Sequence, residues 1–129
     1  MILSMFRNEN IRQITLPGKD AYKIKRYIDN NYYRKIKMQE IADELFMSRS
    51  HMRDIFFRTF GISPKSYMQD IRMKHATHLM ETSNGKISEI ARSVGYDDQL
   101  LFSKTFRSHY GVSPSQYKTM TERTEKNEF

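Results

Sequence analysis

Residues 40–67 read EIADELFMSRSHMRDIFFRTFGISPKSY and residues 89–117 read EIARSVGYDDQLLFSKTFRSHYGVSPSQY. The second stretch repeats the first. Glu40-Ile41-Ala42 matches Glu89-Ile90-Ala91 at an offset of 49 residues, whereas Phe56 matches Phe106 and Gly61-Ile62-Ser63-Pro64 with Tyr67 matches Gly111-Val112-Ser113-Pro114 with Tyr117 at an offset of 50. One extra residue therefore sits in the second turn. Each recurring feature has a stereochemical reason. Ser48 can accept hydrogen bonds from the free backbone donors of a new helix, whose Met52, Ile55, Phe56 and Phe60 then repeat at buried-stripe spacing. Gly61 can take the left-handed shape that ends a helix. Ser63-Pro64 starts the next one, with Ser as cap and Pro where its missing donor costs nothing. Helix, short turn, second helix, Gly stop and Ser-Pro start thus occur twice, in order.

Working outward, Ile24, Tyr27 and Ile28 mark an earlier helix from about residue 20 to about Tyr33, and Ile41, Ala42 and Leu45 mark the buried face of a helix from about Met38 to Phe46. Between the repeats, Tyr67, Met68, Ile71, Ala76, Leu79 and Met80 lie in a run with no internal Pro or Gly before Asn84-Gly85. This should be the longest helix, about 19 residues spanning just under 30 Å. The pattern predicts an all-α chain: residues 1–19 a linker or the stub of an upstream domain, 20–63 a first helix-turn-helix subdomain, 64–83 a linker helix, 84–120 a second subdomain, and 121–129 a charged, disordered tail.

With 129 residues, an apolar fraction of 38% and a charged fraction of 29%, the chain suits thin helical layers with much solvated surface. Twenty-two Lys plus Arg against fifteen Asp plus Glu give a net charge of +7, which attracts polyanions and makes nucleic acid the first partner to test. There is no cysteine, so disulfides, thiolate zinc sites and cysteine nucleophiles are excluded. Met1–Phe6 is too short for a secretory apolar core and no run approaches a membrane span, so a cytoplasmic protein is expected. No Gly-rich phosphate loop occurs. Only His75 and His78 are close in sequence, with no third ligand arranged beside them, so neither an enzyme nor a metal or cofactor site is expected. A protein-interaction module built on the Met-rich faces is the more serious alternative.

A second helix of this kind lies in the major groove with its apolar face on the core. In residues 48–60 the outward set is Ser50, Arg53, Asp54, Phe57 and Arg58, with Arg49 near the amino end. Arg53 can take two hydrogen bonds from guanine, Ser50 can meet several bases, and Arg49 and Arg58 are expected on phosphates. Asp54 either accepts from cytosine or pairs with Arg58 one turn on, the pair being favoured. In residues 97–110 the buried set is Phe102, Thr105, Phe106 and Tyr110, and the outward set is Leu100, Ser103, Lys104, Arg107 and Ser108. Gln99 can read adenine and Leu100 can touch a thymine methyl. Arg49, Arg53 and Arg58 against Asp54 leave +2 on the first reading helix, while Lys104 and Arg107 against Asp97 and Asp98 leave zero. The first unit should therefore supply more of the salt-dependent affinity.

From about Ile24 to Met120 the chain resembles the DNA-binding domain of AraC/XylS-type bacterial transcription regulators. The resemblance rests on Ile87-Ser88-Glu89-Ile90-Ala91, Val94-Gly95-Tyr96, Phe102-Ser103-Lys104, Phe106-Arg107 and Tyr110-Gly111-Val112-Ser113-Pro114 with Tyr117, and on Tyr67, Arg72, Met73, Ala76, Leu79 and Met80 in the linker helix. It implies seven helices, with two reading helices entering successive major grooves and the long helix holding their spacing. Its base and phosphate contacts would fall on Arg49, Ser50, Arg53 and Asp54, and on Gln99, Leu100, Leu101, Ser103 and Lys104. It further implies double-stranded promoter DNA and RNA polymerase as partners, activation of transcription, and a monomer as an isolated domain, with a dimer if an upstream domain is missing. Asp54 and Phe57 stand where the family often has basic residues, and Leu100-Leu101 replace a frequent Ser-Tyr pair. Phe57 is then expected against a neighbouring helix or a partner protein.

Overall fold

A computed structural model describes residues 18–127, with side chains described through Arg123. Seven helices and no strand occur among the described residues: α1 Lys19–Asn31, α2 Met38–Glu44, α3 Arg49–Phe60, α4 Pro64–Thr82, α5 Ile87–Ser93, α6 Gln99–Tyr110 and α7 Pro114–Asn127. The all-α architecture with two helix-turn-helix pairs, α2–α3 and α5–α6, follows the repeat. The stub expected over residues 1–19 lies almost wholly outside the described residues.

The punctuation works as its chemistry requires. Ser48 Oγ accepts from His51 N–H at 3.1 Å, Ser63 Oγ from Ser66 N–H at 3.1 Å and Ser113 Oγ from Gln116 N–H at 3.1 Å. Each satisfies an orphan donor at a helix start. Glu40 and Glu89 accept from the backbone N–H groups of Lys37 and Lys86 at 3.4 and 3.1 Å, a cap repeated in both units. Gly61 and Gly111, at φ 77° and 81°, terminate α3 and α6.

The turns between paired helices also repeat. Phe46 N–H donates to Asp43 O at 3.1 Å and Met47 N–H to Ala42 O at 3.0 Å; Gly95 N–H donates to Arg92 O at 3.1 Å and Tyr96 N–H to Ala91 O at 2.9 Å. Such a turn needs a left-handed residue. Gly95 supplies it in the second unit at φ 98°, but the first unit uses Phe46 at φ 56°.

Two compact units divide the described residues. The first takes residues up to Asn30 together with Lys37–Ser66, and the second takes Asn31–Ile36 together with residues from Tyr67 onward. In the first unit Ala21, Ile24, Ile28, Ile41, Ala42, Met52 and Phe56 are buried, α2 packs on α3, and Tyr22 meets Phe60 edge-on at 5.1 Å. In the second, Met73, Ala76, Met80, Ile90, Ala91, Val94, Tyr96, Phe102 and Phe106 form one apolar cluster. Removing these side chains from water is the main force holding each small unit together.

The 31–36 segment was expected inside the first subdomain. Arg72 of α4 draws it into the second: its Nε donates to Tyr32 O at 2.8 Å and its Nη2 to Arg34 O at 2.9 Å, with the guanidinium 5.3 Å from the Tyr96 ring centroid. Burial pulls the Arg72 pKa below its ordinary value, opposed by Tyr96. The two carbonyls compensate that desolvated cation.

Three other expectations need correction. Leu45 and Phe46 fall beyond α2, because the left-handed turn begins there. Tyr110, placed in the buried stripe, is 36% exposed, since its hydroxyl seeks a polar edge while its ring leans on Phe106 at 4.8 Å. Residues 121–127, expected as a disordered tail, continue α7. No Pro or Gly interrupts the run begun at Pro114, and the hydroxyls of Thr119 and Thr121 bond back to Ser115 O and Lys118 O within the helix.

Candidate nucleic-acid interface

The first candidate reading face is α3. Met52 and Phe56 turn inward, and Ser50, Arg53, Asp54, Phe57 and Arg58 point to solvent with Arg49 at the leading end. Arg49, Ser50 and Arg53 line an open groove with Met38, Met52, Ser63, Pro64 and Lys65. A shallower concavity continues across Ser50, Arg53, Asp54, Phe57 and Ser63. Neither Arg49 nor Arg53 forms an ion pair with another described residue, so both forks are available to an incoming polyanion. Lys65 was not singled out from the sequence. The signal was present: a Lys directly after a Ser-Pro helix start stands at the end of α4 that shares the groove.

Asp54 carries the pair favoured on spacing. Arg58 Nη2 bonds to Asp54 Oδ2 one turn away, both side chains largely exposed. That pairing partly neutralises Arg58 and keeps Asp54 from presenting a bare negative charge. Phe57 is 57% exposed and belongs to the concavity instead of packing on a neighbouring helix.

The second candidate reading face is α6. Phe102 and Phe106 are buried, while Gln99, Leu100, Lys104, Arg107 and Ser108 are exposed and Ser103 is half-buried beside them. The leading end differs from that of α3. Asp98 Oδ1 accepts from the backbone N–H of Leu100 at 2.9 Å and of Leu101 at 3.3 Å. Asp97 Oδ2 accepts from Lys35 Nζ at 2.7 Å, a bond that raises the Lys35 pKa. Leu100 and Leu101 stand 65% and 52% exposed.

His75 and His78 are both exposed on α4. The His75 ring stacks on Tyr32, with centroids 4.4 Å apart and planes 15° from parallel. Among the described residues no helix is long and apolar enough to cross a membrane.

Residues 41–120, which hold both turns and both candidate reading faces, match the family described as a helix-turn-helix domain. The chain belongs to the AraC/XylS-type family. Among relatives of this AraC/XylS-type chain, the lactose operon transcription activator of Staphylococcus xylosus is 38% identical over 106 residues, covering 82% of this chain and 38% of the relative. The Msm operon regulatory protein of Streptococcus mutans is 37% identical over 95 residues, covering 74% of this chain and 34% of the relative. The chain thus spans well under half the length of these curated relatives. In structure, it is similar to the C-terminal domain of AraT, a response regulator from Geobacillus stearothermophilus, with a TM-score of 0.78, 29% identity, and coverage of 82% of this chain and 88% of that one. The DNA-binding domain of AdpA, solved in complex with a target DNA, shares the fold at a TM-score of 0.76 and 21% identity, over 81% of this chain and 94% of that one.

Proposed function

We propose that this chain is the sequence-specific DNA-binding part of a transcription regulator, reading double-stranded promoter DNA with α3 and α6 in the major groove. The observation that carries the reading is the groove beside α3, where Arg49, Ser50, Arg53 and Lys65 face solvent on a helix-turn-helix of this family. Arg53 reads a base edge, Ser50 assists it, and Arg49, Arg58 and Lys65 hold phosphates. On α6, Gln99 and Ser103 face the bases while Lys104 and Arg107 hold the backbone. Asp54 acts through Arg58. The relative named a transcription activator supports activation, and RNA polymerase is the partner proposed for that role. The domain acts as a monomer in the cytoplasm, without a metal, cofactor or catalytic step.

Selection from a random duplex library at physiological salt, followed by footprinting of the winner, tests this. The expected result is two base-specific blocks, one of which loses definition in Arg53→Ala. Salt-sensitive binding with no enriched sequence would refute specific reading.

A further inference from the structure

The two reading helices present opposite chemistry at their leading ends. At α3 the cap is a neutral Ser48 and the flanking side chain is Arg49. At α6 the cap is the Asp98 carboxylate, which occupies the N–H groups of Leu100 and Leu101. Those amides are the donors a helix start would otherwise offer to phosphate. A second carboxylate, Asp97, stands beside it and is balanced by Lys35. This end of α6 is therefore built against phosphate, yet it holds two adjacent leucines in water.

We infer that Leu100 and Leu101 read thymine through its C5 methyl group, making the second unit's specificity apolar where the first unit's is charged. The inference rests on the major-groove reading proposed above. The thymine methyl is the apolar group that base pairs present in the major groove. Helical spacing places Leu100 on one stripe with Lys104 and Arg107, at four and seven residues on, and Leu101 three residues before Lys104. Phosphate-holding cations thus lie behind the leucines on the same face, so charge complementarity directs this surface to the duplex. Gln99 at the first position of α6 adds the polar half of an A·T pair, since its amide can bond adenine N6 and N7.

The experiment uses the full chain and the duplex it selects. Footprints with and without Arg53→Ala assign one block to α3 and the other to α6. Thymidines in the α6 block are then replaced singly by deoxyuridine, which removes the methyl and leaves every hydrogen-bonding group. At the contacted positions affinity falls by about fourfold per methyl. Leu100→Ala and Leu101→Ala lower affinity for the thymidine duplex by a similar factor and abolish the further loss on deoxyuridine. Both leucines are exposed, so thermal unfolding of these variants stays at the parent value. An α6 block without thymine, or one indifferent to deoxyuridine while sequence-specific binding persists, overturns the inference and leaves the DNA reading standing. A chain that selects no sequence overturns both.

Discussion

Phe46 and Gly95 hold the same place in the two repeats, and both backbones are left-handed, at φ 56° and 98°. The glycine is enforced by its surroundings. A Cβ at residue 95 would lie 2.7 Å from Tyr32 O and 3.0 Å from two nitrogens of Arg72. The phenylalanine is enforced by nothing visible within its unit, since its side chain is 96% exposed.

Replacing Phe46 by Gly relieves a left-handed bulky residue, worth about 1–2 kcal/mol, less the 0.5–1 kcal/mol that glycine loses in chain entropy. A net gain of about 0.5–1 kcal/mol is expected in urea unfolding. Gly95→Ala should act oppositely and lower stability by about 2 kcal/mol or more, because strain and a backbone collision combine. Equal responses at the two positions would contradict this account of the turns.

Arg72 joins α4 to two backbone carbonyls of the 31–36 segment, and its loss leaves both without that partner. Arg72→Met keeps much of the apolar stem, so its cost of about 3 kcal/mol comes from the lost charge-assisted bonds. Hydrogen exchange should accelerate first over residues 31–36. A uniform acceleration across the chain would show that the segment is not the part Arg72 holds.

Tyr117 donates its hydroxyl to Glu81 Oε2 at 2.7 Å, and that bond, with burial, pushes its pKa from 10.0 up to about 12. A folded pKa above the unfolded one means the proton is held more tightly in the native state. The contribution is complete below pH 10 and lost as pH climbs through 12. Tyr32 and Tyr110 are shifted the same way, chiefly by burial, and add to the trend. Stability measured from pH 9 to 12 should fall, and Tyr117→Phe should make that fall shallower.

The Asp54–Arg58 pair restrains a cation at the end of α3. Asp54→Asn should strengthen the Arg58 phosphate contact, raise DNA affinity at low salt, and steepen the dependence of log affinity on log salt by no more than about 0.9, the value of one full phosphate contact. Neutralising Arg49 and Arg58 together should flatten that dependence more than neutralising Lys104 and Arg107. The reverse order would shift the main electrostatic contribution to the second unit.

The sequence revealed what local stereochemistry decides. Gly61, Gly111, Ser63-Pro64 and Ser113-Pro114 act within a few residues of themselves, so helix ends and the repeat were readable, and the outward faces of α3 and α6 followed from helical spacing. What escaped depends on distant partners. Nothing near Arg72 signals its attachment to Tyr32 and Arg34 forty and thirty-eight residues earlier, and nothing near Asp97 signals Lys35. Phe46 escaped for another reason: the turn geometry overrides the preference of the residue placed in it.

The attachment of 31–36 to the unit that begins at Tyr67 means that this unit is interrupted in sequence. A gene fragment opening at Pro64 would encode its helices without the strap that Arg72 clasps. During synthesis from the amino end, the strap emerges long before its clasp, so the carbonyls of Tyr32 and Arg34 stay hydrated until α4 is made. Those bonds, which reach back forty and thirty-eight residues, therefore close only after α2 and α3 have both been made.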